Sequence, residues 1–174
     1  MEDRRHKIVE AGLQVLREFG YSAFTQPRIA ALTGLRQSHL TYYFPTRADL
    51  LEAVARAAAE TQLAALDAAL GSGAELGAVL AALVARHDNT RVLMALAQAA
   101  DQEPALRTIF RDLTTGIVER ISRHVPAAAS DATADSIHAL AVGLAVIELA
   151  TGRPDGAART EAVLQAAYQH LGSA

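Results

Sequence analysis

Apolar positions recur along this chain every three or four residues, almost from end to end. That is the period of α-helices with one face turned inward; the period-two alternation of half-buried strands is not sustained anywhere. Nor does any segment repeat at a fixed period. Ile8, Ala11, Gly12, Val15, Leu16 and Phe19 form a first stripe, which Gly20 ends. Thr25 stands where an N-cap would, and Pro27 falls in the first turn of a short helix reaching Thr33. Gly34 breaks that helix. A second short helix spans Gln37 to Tyr43 and stops at Phe44-Pro45. Thr46-Arg47-Ala48-Asp49 reads as a capping-box variant ahead of a long helix to Leu70. Ser72-Gly73-Ala74-Glu75 reads as a second box, before the face Leu76, Val79, Leu80, Leu83 and Val84. Further helices are expected over 90–101, from Pro104 along Leu106, Ile109, Phe110, Leu113, Ile117 and Ile121, and over 134–151 and 155–171, with 125–133 as a linker. The expected fold is all-α, with about nine helices. Three short ones make a head over residues 1–46 and six make a body over 47–174, with the Pro45 turn as boundary.

Composition narrows the classes. The chain has 174 residues, of which 51% are hydrophobic, enough for a core without staples and too apolar for disorder. With no cysteine it has no disulfide frame, thiolate zinc site, iron–sulfur cluster or cysteine nucleophile. Six scattered histidines show no metal-ligand spacing, so neither metal nor cofactor is expected. No apolar run is read as reaching the roughly 20 residues of a membrane span. Met1 to His6 opens a charged helix and not a signal peptide. The expectation is therefore a cytoplasmic protein without a membrane partner. Net charge is −3, but unevenly placed. Residues 1–47 carry seven basic and four acidic side chains, and the remainder nine and fifteen. A basic head on an acidic body fits a head that meets phosphate. The fifteen-to-one excess of arginine over lysine is read as coding bias.

Residues 26–44, QPRIAALTGLRQSHLTYYF, carry the chemistry. Ala30 is small where a bulky side chain would strike a crossing helix, and Gly34, four residues on, supplies the positive φ of a tight turn. Ile29, Leu35 and Leu40 lock the two helices. A small residue, a glycine four later and an apolar residue six after that is helix-turn-helix spacing. The second helix would offer Gln37, Ser38, His39, Thr41 and Tyr42 outward. These are hydrogen-bonding side chains without negative charge, suited to phosphates and base edges. Gln37 has the bidentate chemistry that adenine presents, and His39 can meet guanine or phosphate. Arg28, Arg36 and Arg47 flank the helix as phosphate clamps, and the amides opening the fourth helix could hold another phosphate. Plainer roles stand beside these: Thr25 as a cap only, Arg36 as a solvated turn charge, Tyr43 as a core wedge or a DNA contact, Phe44 as core.

At this point the chain resembles the TetR/AcrR family of bacterial transcriptional regulators. The residues that carry the resemblance lie over 5–55: the first stripe, Phe19-Gly20-Tyr21, Thr25, Ile29-Ala30, Gly34-Leu35, Leu40, Tyr42-Tyr43-Phe44, Arg47 and Asp49-Leu50-Leu51. The resemblance implies a three-helix DNA-binding head and a variable helical body that dimerises through its last two long helices and often binds a small ligand. It also implies a repressor on a palindromic operator. By position it assigns DNA contact to Thr25, Arg28, Gln37, Ser38, His39, Thr41, Tyr42 and Arg47. One departure is Thr41, where the family often has a phosphate-contacting tyrosine; another is Arg47, where lysine is common.

The body is read from its residues. The segment 134–151 is apolar on most sides and contains small residues, Ala139, Gly143 and Ala150. With 155–171 it suits a two-fold four-helix interface through Ile137, Leu140, Leu144, Ile147, Leu164 and Tyr168, the alternative being a central helix of a monomer. Two heads about 34 Å apart would meet successive major grooves of palindromic double-stranded DNA. His87, Asn89, Arg91, Gln98, Thr114, His138 and Glu148 are polar residues among apolar stretches; His87, Arg91, Gln98, Thr114 and His138 are the ligand candidates for a small-molecule effector. Glu148 could equally pair across a dimer, and Arg91 with Asp88 or Glu103. No nucleophile–base or carboxylate pair is spaced for catalysis, so no enzyme is expected. A helical protein-interaction module that kept the head but lost DNA reading is the other candidate function.

Overall fold

The computed structural model describes residues 2–125 and 131–171. Among them are nine α-helices and no strand. They are α1 (Glu2–Phe19), α2 (Gln26–Thr33), α3 (Gln37–Tyr43), α4 (Arg47–Gly71), α5 (Leu76–Val84), α6 (His87–Ala99), α7 (Pro104–Ser122), α8 (Asp131–Thr151) and α9 (Gly156–Leu171). A single 3₁₀ turn, Tyr21–Ala23, follows α1.

By packing, the chain divides into two compact units that do not follow the expected functional boundary at residue 46. The first is Met1–Thr61 with Arg91–Arg111, and the second is Gln62–Thr90 with Asp112–Ala174. The first has its own core, in which Ile8, Val15 and Leu16 of α1, Phe24, Ile29 of α2, Leu40 of α3 and Leu50, Leu51 and Val54 of α4 are nearly or wholly buried. Val92, Ala95, Leu96 and Ala99 of α6 and Leu106 and Ile109 of α7 belong to the same cluster. The second core joins Leu66 and Leu70 of α4, the α5 stripe, Ile117 and Ile121 of α7, Ile137, Ala141 and Leu144 of α8, and Leu164 of α9. There α9 lies against both α5 and α8. At Gly77 of α5 the Gln165 backbone of α9 lies 3.6 Å from where a Cβ would stand, an ordinary van der Waals contact.

Several expectations fail locally. The second capping box does not form. Ser72 Oγ donates back to the Ala69 carbonyl at 2.7 Å, and Glu75 takes the N-cap position without a side-chain bond. Gly73, at φ 81°, turns the chain between them, so Ser72 still belongs to the preceding helix end. Thr25 occupies the N-cap of α2, but its hydroxyl makes no capping bond. The sixth helix begins at His87, three residues before the reading placed it. The eighth begins at Asp131 and absorbs Asp131–Thr133 of the expected linker, while 126–130 lie outside the described residues. Ala132–Thr151 is, by length and composition, long and apolar enough to cross a membrane, contrary to expectation. Its charges, Asp135 and Glu148, are too few to lower the average of an alanine-rich run. One face of that helix forms part of the second core.

Candidate nucleic-acid interface

The geometry of the head begins at the turn between α2 and α3. Gly34 takes φ 68°, the left-handed conformation that closes a helix, and its amide reaches the Ala31 carbonyl. The Leu35 amide donates to the Ala30 carbonyl at 3.2 Å. Ala30 is buried, so α3 can cross close to α2. Thr33, which the reading did not single out, holds this corner. Its buried hydroxyl donates toward the Ile29 and Ala30 carbonyls at 3.1 and 3.0 Å and accepts the Leu35 amide at 3.4 Å. Gln26, also missed, donates from Nε2 to the Phe44 carbonyl at 3.0 Å and ties the start of α2 to the end of α3. The Gln26 bond bridges 18 residues, and side-chain-to-backbone bonds of this kind leave no periodic signal in a sequence.

Leu40 and Phe44 face the core, which decides what α3 can show. Arg36, Gln37, Ser38 and His39 are exposed, and Tyr42 is 73% exposed. Tyr43 is half-buried against the core and meets the Tyr42 ring edge-on at 5.3 Å. The Thr41 hydroxyl donates back toward the Gln37 and Ser38 carbonyls at 3.2 Å, leaving its lone pairs as acceptors. Thr25 and Arg28 are exposed on the α2 side.

Three arginines of the head rest on rings. Arg28 lies over Phe19 at 4.7 Å, Arg5 over Phe44 at 5.2 Å, and Arg47 over Tyr21 at 4.4 Å and Phe24 at 5.8 Å. Arg47 differs from the others because its fork is already bonded. Nε donates to the Phe24 carbonyl at 2.8 Å, Nη1 to the Tyr21 hydroxyl at 2.9 Å and Nη2 to the Tyr21 carbonyl at 3.4 Å. Three of its five N–H donors hold the Tyr21–Phe24 loop and two remain. Next to it the box at α4 closes reciprocally. The Thr46 amide donates to Asp49 Oδ2 at 2.9 Å, and the Asp49 amide to Thr46 Oγ1 at 3.0 Å. Phe19, expected in the core stripe of α1, is 51% exposed beneath Arg28.

A cavity of about 590 Å³ opens in the first unit beside Arg5, His6 and Val9 of α1, Tyr43, and Ala53 and Arg56 of α4. None of these was a ligand candidate. The five that were do not gather. His87, Arg91, Gln98 and Thr114 are exposed, with Arg91 and Gln98 in the first unit and His87 and Thr114 in the second. His138 is half-buried on α8, and burial pushes its pKa below the ordinary 6.5 against the opposing pull of Asp135. Glu148 is paired within its own chain. Arg159 of α9 donates to Oε1 from Nη2 at 2.5 Å and from Nε at 3.0 Å. Among the expected dimer contacts, Ile137, Leu144 and Leu164 are buried in the core of the second unit. Leu140 and Tyr168 are half-buried, the latter donating to the His124 carbonyl at 3.0 Å, and Ile147 is exposed.

Residues 8–54 match the model of the tetR family of bacterial regulatory proteins. No curated protein matches the chain. Solved structures do match in fold. A transcriptional regulator from Rhodococcus sp. Rha1 has a TM-score of 0.83 at 19% identity, over 96% of this chain and 95% of its own. A regulator from Saccharomonospora viridis, in complex with choline, has 0.80 at 20%, over 98% and 97%. The multidrug binding protein EbrR, complexed with imidazole, has 0.72 at 24%, over 94% of each chain.

Proposed function

We propose that this chain, which belongs to the tetR family of bacterial regulatory proteins, binds a palindromic operator as a homodimer, represses transcription there, and is released by a small molecule. The observation that carries the reading is the face of α3. Leu40 and Phe44 anchor the helix, and what it exposes is Gln37, Ser38, His39 and Tyr42, with no carboxylate among them. Base edges would meet Gln37 and His39; phosphates would meet Ser38, Thr41, Tyr42, Arg28 and Arg36. Thr25 is exposed and has no capping duty. Arg47 would reach a phosphate only with its two remaining N–H groups, its main contribution being to hold the loop. For the dimer we assign the exposed side of α8 around Ile147, Gly143 and Ala139, since Ile137, Leu144 and Leu164 are already buried. Release by an effector is supported by the similar folds found with choline and imidazole. Binding would lower DNA affinity through a coupling free energy between the two sites.

The test is selection from random duplex DNA followed by salt titration. A palindromic winner, a steep salt slope, and losses of about 1–3 kcal/mol for Gln37→Ala and Tyr42→Ala are expected. No enrichment at low salt by folded protein would overturn the reading in favour of a protein-interaction module.

A further inference from the structure

Phe19 is a large apolar side chain at 51% exposure, on the last turn of a helix whose other stripe residues are buried. It sits one residue before Gly20, whose φ of 74° turns the chain away, so its ring stays at the surface. The guanidinium of Arg28 lies over that ring at 4.7 Å. Among the described residues the Arg28 side chain has no hydrogen bond and no ion pair; the Phe19 ring is the partner it has. Arg47, by contrast, is bonded on three nitrogens to the loop it crosses. The two arginines therefore differ in what they leave available. Arg47 keeps two N–H groups, and Arg28 keeps all five, held by a flat face that blocks none of them.

We infer that Phe19 is a positioning residue for DNA binding: its ring holds the Arg28 guanidinium so that the donor edge is presented to a backbone phosphate. This rests on the proposed DNA-binding function and deepens it. An exposed arginine samples many rotamers and loses that freedom on binding. A stacked one has lost part of it already, so less is lost when the phosphate arrives. The ring contributes no charge and no hydrogen bond of its own, so its whole effect runs through Arg28. Arg28 and Leu32, one turn apart on α2, share that outward side, and Leu32 is also exposed at 45%. Neither neighbour competes for the guanidinium with a carboxylate.

The test is a double-mutant cycle on the full-length protein with Phe19→Leu, Arg28→Ala and both together. Two duplexes serve as probes: one recovered by selection, and random-sequence DNA at low salt. Phe19→Leu should weaken binding about three-fold per protomer, near tenfold for a dimer, from the loss of one exposed stack. It should leave the salt slope unchanged, since no charge is lost. Arg28→Ala should also weaken binding and lower the slope by about 0.9 per protomer. In the Arg28→Ala background the Phe19 change should have no further effect, and Phe19→Tyr should restore wild-type affinity. Dimer content and melting temperature serve as a check that Phe19→Leu still folds. If that variant is unfolded, the conservative Phe19→Tyr and Phe19→Trp changes carry the test through affinity alone; affinities that do not follow the presence of a ring overturn the inference. Additive effects, or a slope lowered by Phe19→Leu, likewise overturn it while the DNA-binding reading stands. A wild-type protein that binds neither duplex overturns the DNA-binding reading itself.

Discussion

Replacing Arg47 separates two roles that its position allows, a phosphate contact and a brace for the loop before α2. The brace can be weighed. Arg47→Ala removes three hydrogen bonds, at 2.8, 2.9 and 3.4 Å, and the stacking on Tyr21 and Phe24. The site is partly exposed, so water can satisfy the two carbonyls and the phenol, and each bond is worth less than a buried one. About 0.5–1 kcal/mol per bond plus a similar amount for the stack gives roughly 2–4 kcal/mol in all. In a chain of this length that lowers the melting temperature by roughly 4–16 °C. The assay is thermal and urea unfolding of the intact protein, without DNA. Arg47→Lys is the informative companion because it keeps the charge a phosphate would see. A point-like ammonium cannot span Tyr21 and Phe24 together as the planar fork does, so lysine should recover less than half of the loss. If Arg47→Ala melts with wild type, or if Arg47→Lys is fully restored, the brace as described is refuted.

Other outcomes follow from the same geometry. Gly12→Ala should destabilise by about 1–3 kcal/mol in urea unfolding, because its Cβ would lie 2.7 Å from Val54 Cγ2 and 3.2 Å from Phe24 Cε2; the gain of about 1 kcal/mol that helix propensity alone predicts would show that the contact relaxes freely. Gly156→Ala would drive a methyl group into the Glu148 carboxylate, with the carboxyl carbon at 3.1 Å, and should cost about 2–4 kcal/mol; a melt within error of wild type would contradict the packing described. Arg159→Ala should destabilise more than Glu148→Gln, since it leaves a buried carboxylate without its cation. The folded-state pKa of His138 lies below 6.5, so the unfolded chain takes up the proton first. Its contribution is fully present above about pH 6.5 and is lost as pH falls from there through the lower folded value. His138→Gln should flatten that part of the stability–pH curve, and an unchanged curve would remove His138 as its cause.

The head was legible because its signals are local. Gly34 needs a left-handed backbone, Ala30 a close crossing, and Thr46 and Asp49 a reciprocal cap, all within a few residues of one another. The α3 face followed from period alone once Leu40 and Phe44 were assigned inward. What escaped was side-chain bonding to the backbone. Thr33 bonds the nearby Ile29 and Ala30 carbonyls, Gln26 the distant Phe44 carbonyl and Arg47 those of Tyr21 and Phe24, and a carbonyl has no sequence identity. Phe19 fits the α1 stripe by spacing, yet the helix ends beneath it and leaves its ring for Arg28. In the body, Ile137 and Leu144 of α8 and Leu164 of α9 are covered by the chain itself, and period alone does not say which side of an apolar helix that will be. His87, Arg91, Gln98 and Thr114 stand among apolar residues in the sequence, and each is exposed on its helix.

The boundary between the two compact units is crossed inside helices, within α4 after Thr61, within α6 after Thr90 and within α7 after Arg111. That has a consequence for recombination between proteins of this kind. A graft at the Pro45 turn, placing residues 1–46 on a foreign body, would carry Ile8, Leu16, Ile29 and Leu40 but leave behind Leu50, Leu51, Val54, Val92, Leu96 and Leu106, which complete the same core. With α3 as the proposed DNA reader, specificity would travel between such chains only with its supporting segments, or by exchanging the few outward residues of α3 on an otherwise unaltered frame. On that proposal the smallest transferable unit of recognition is a helix face.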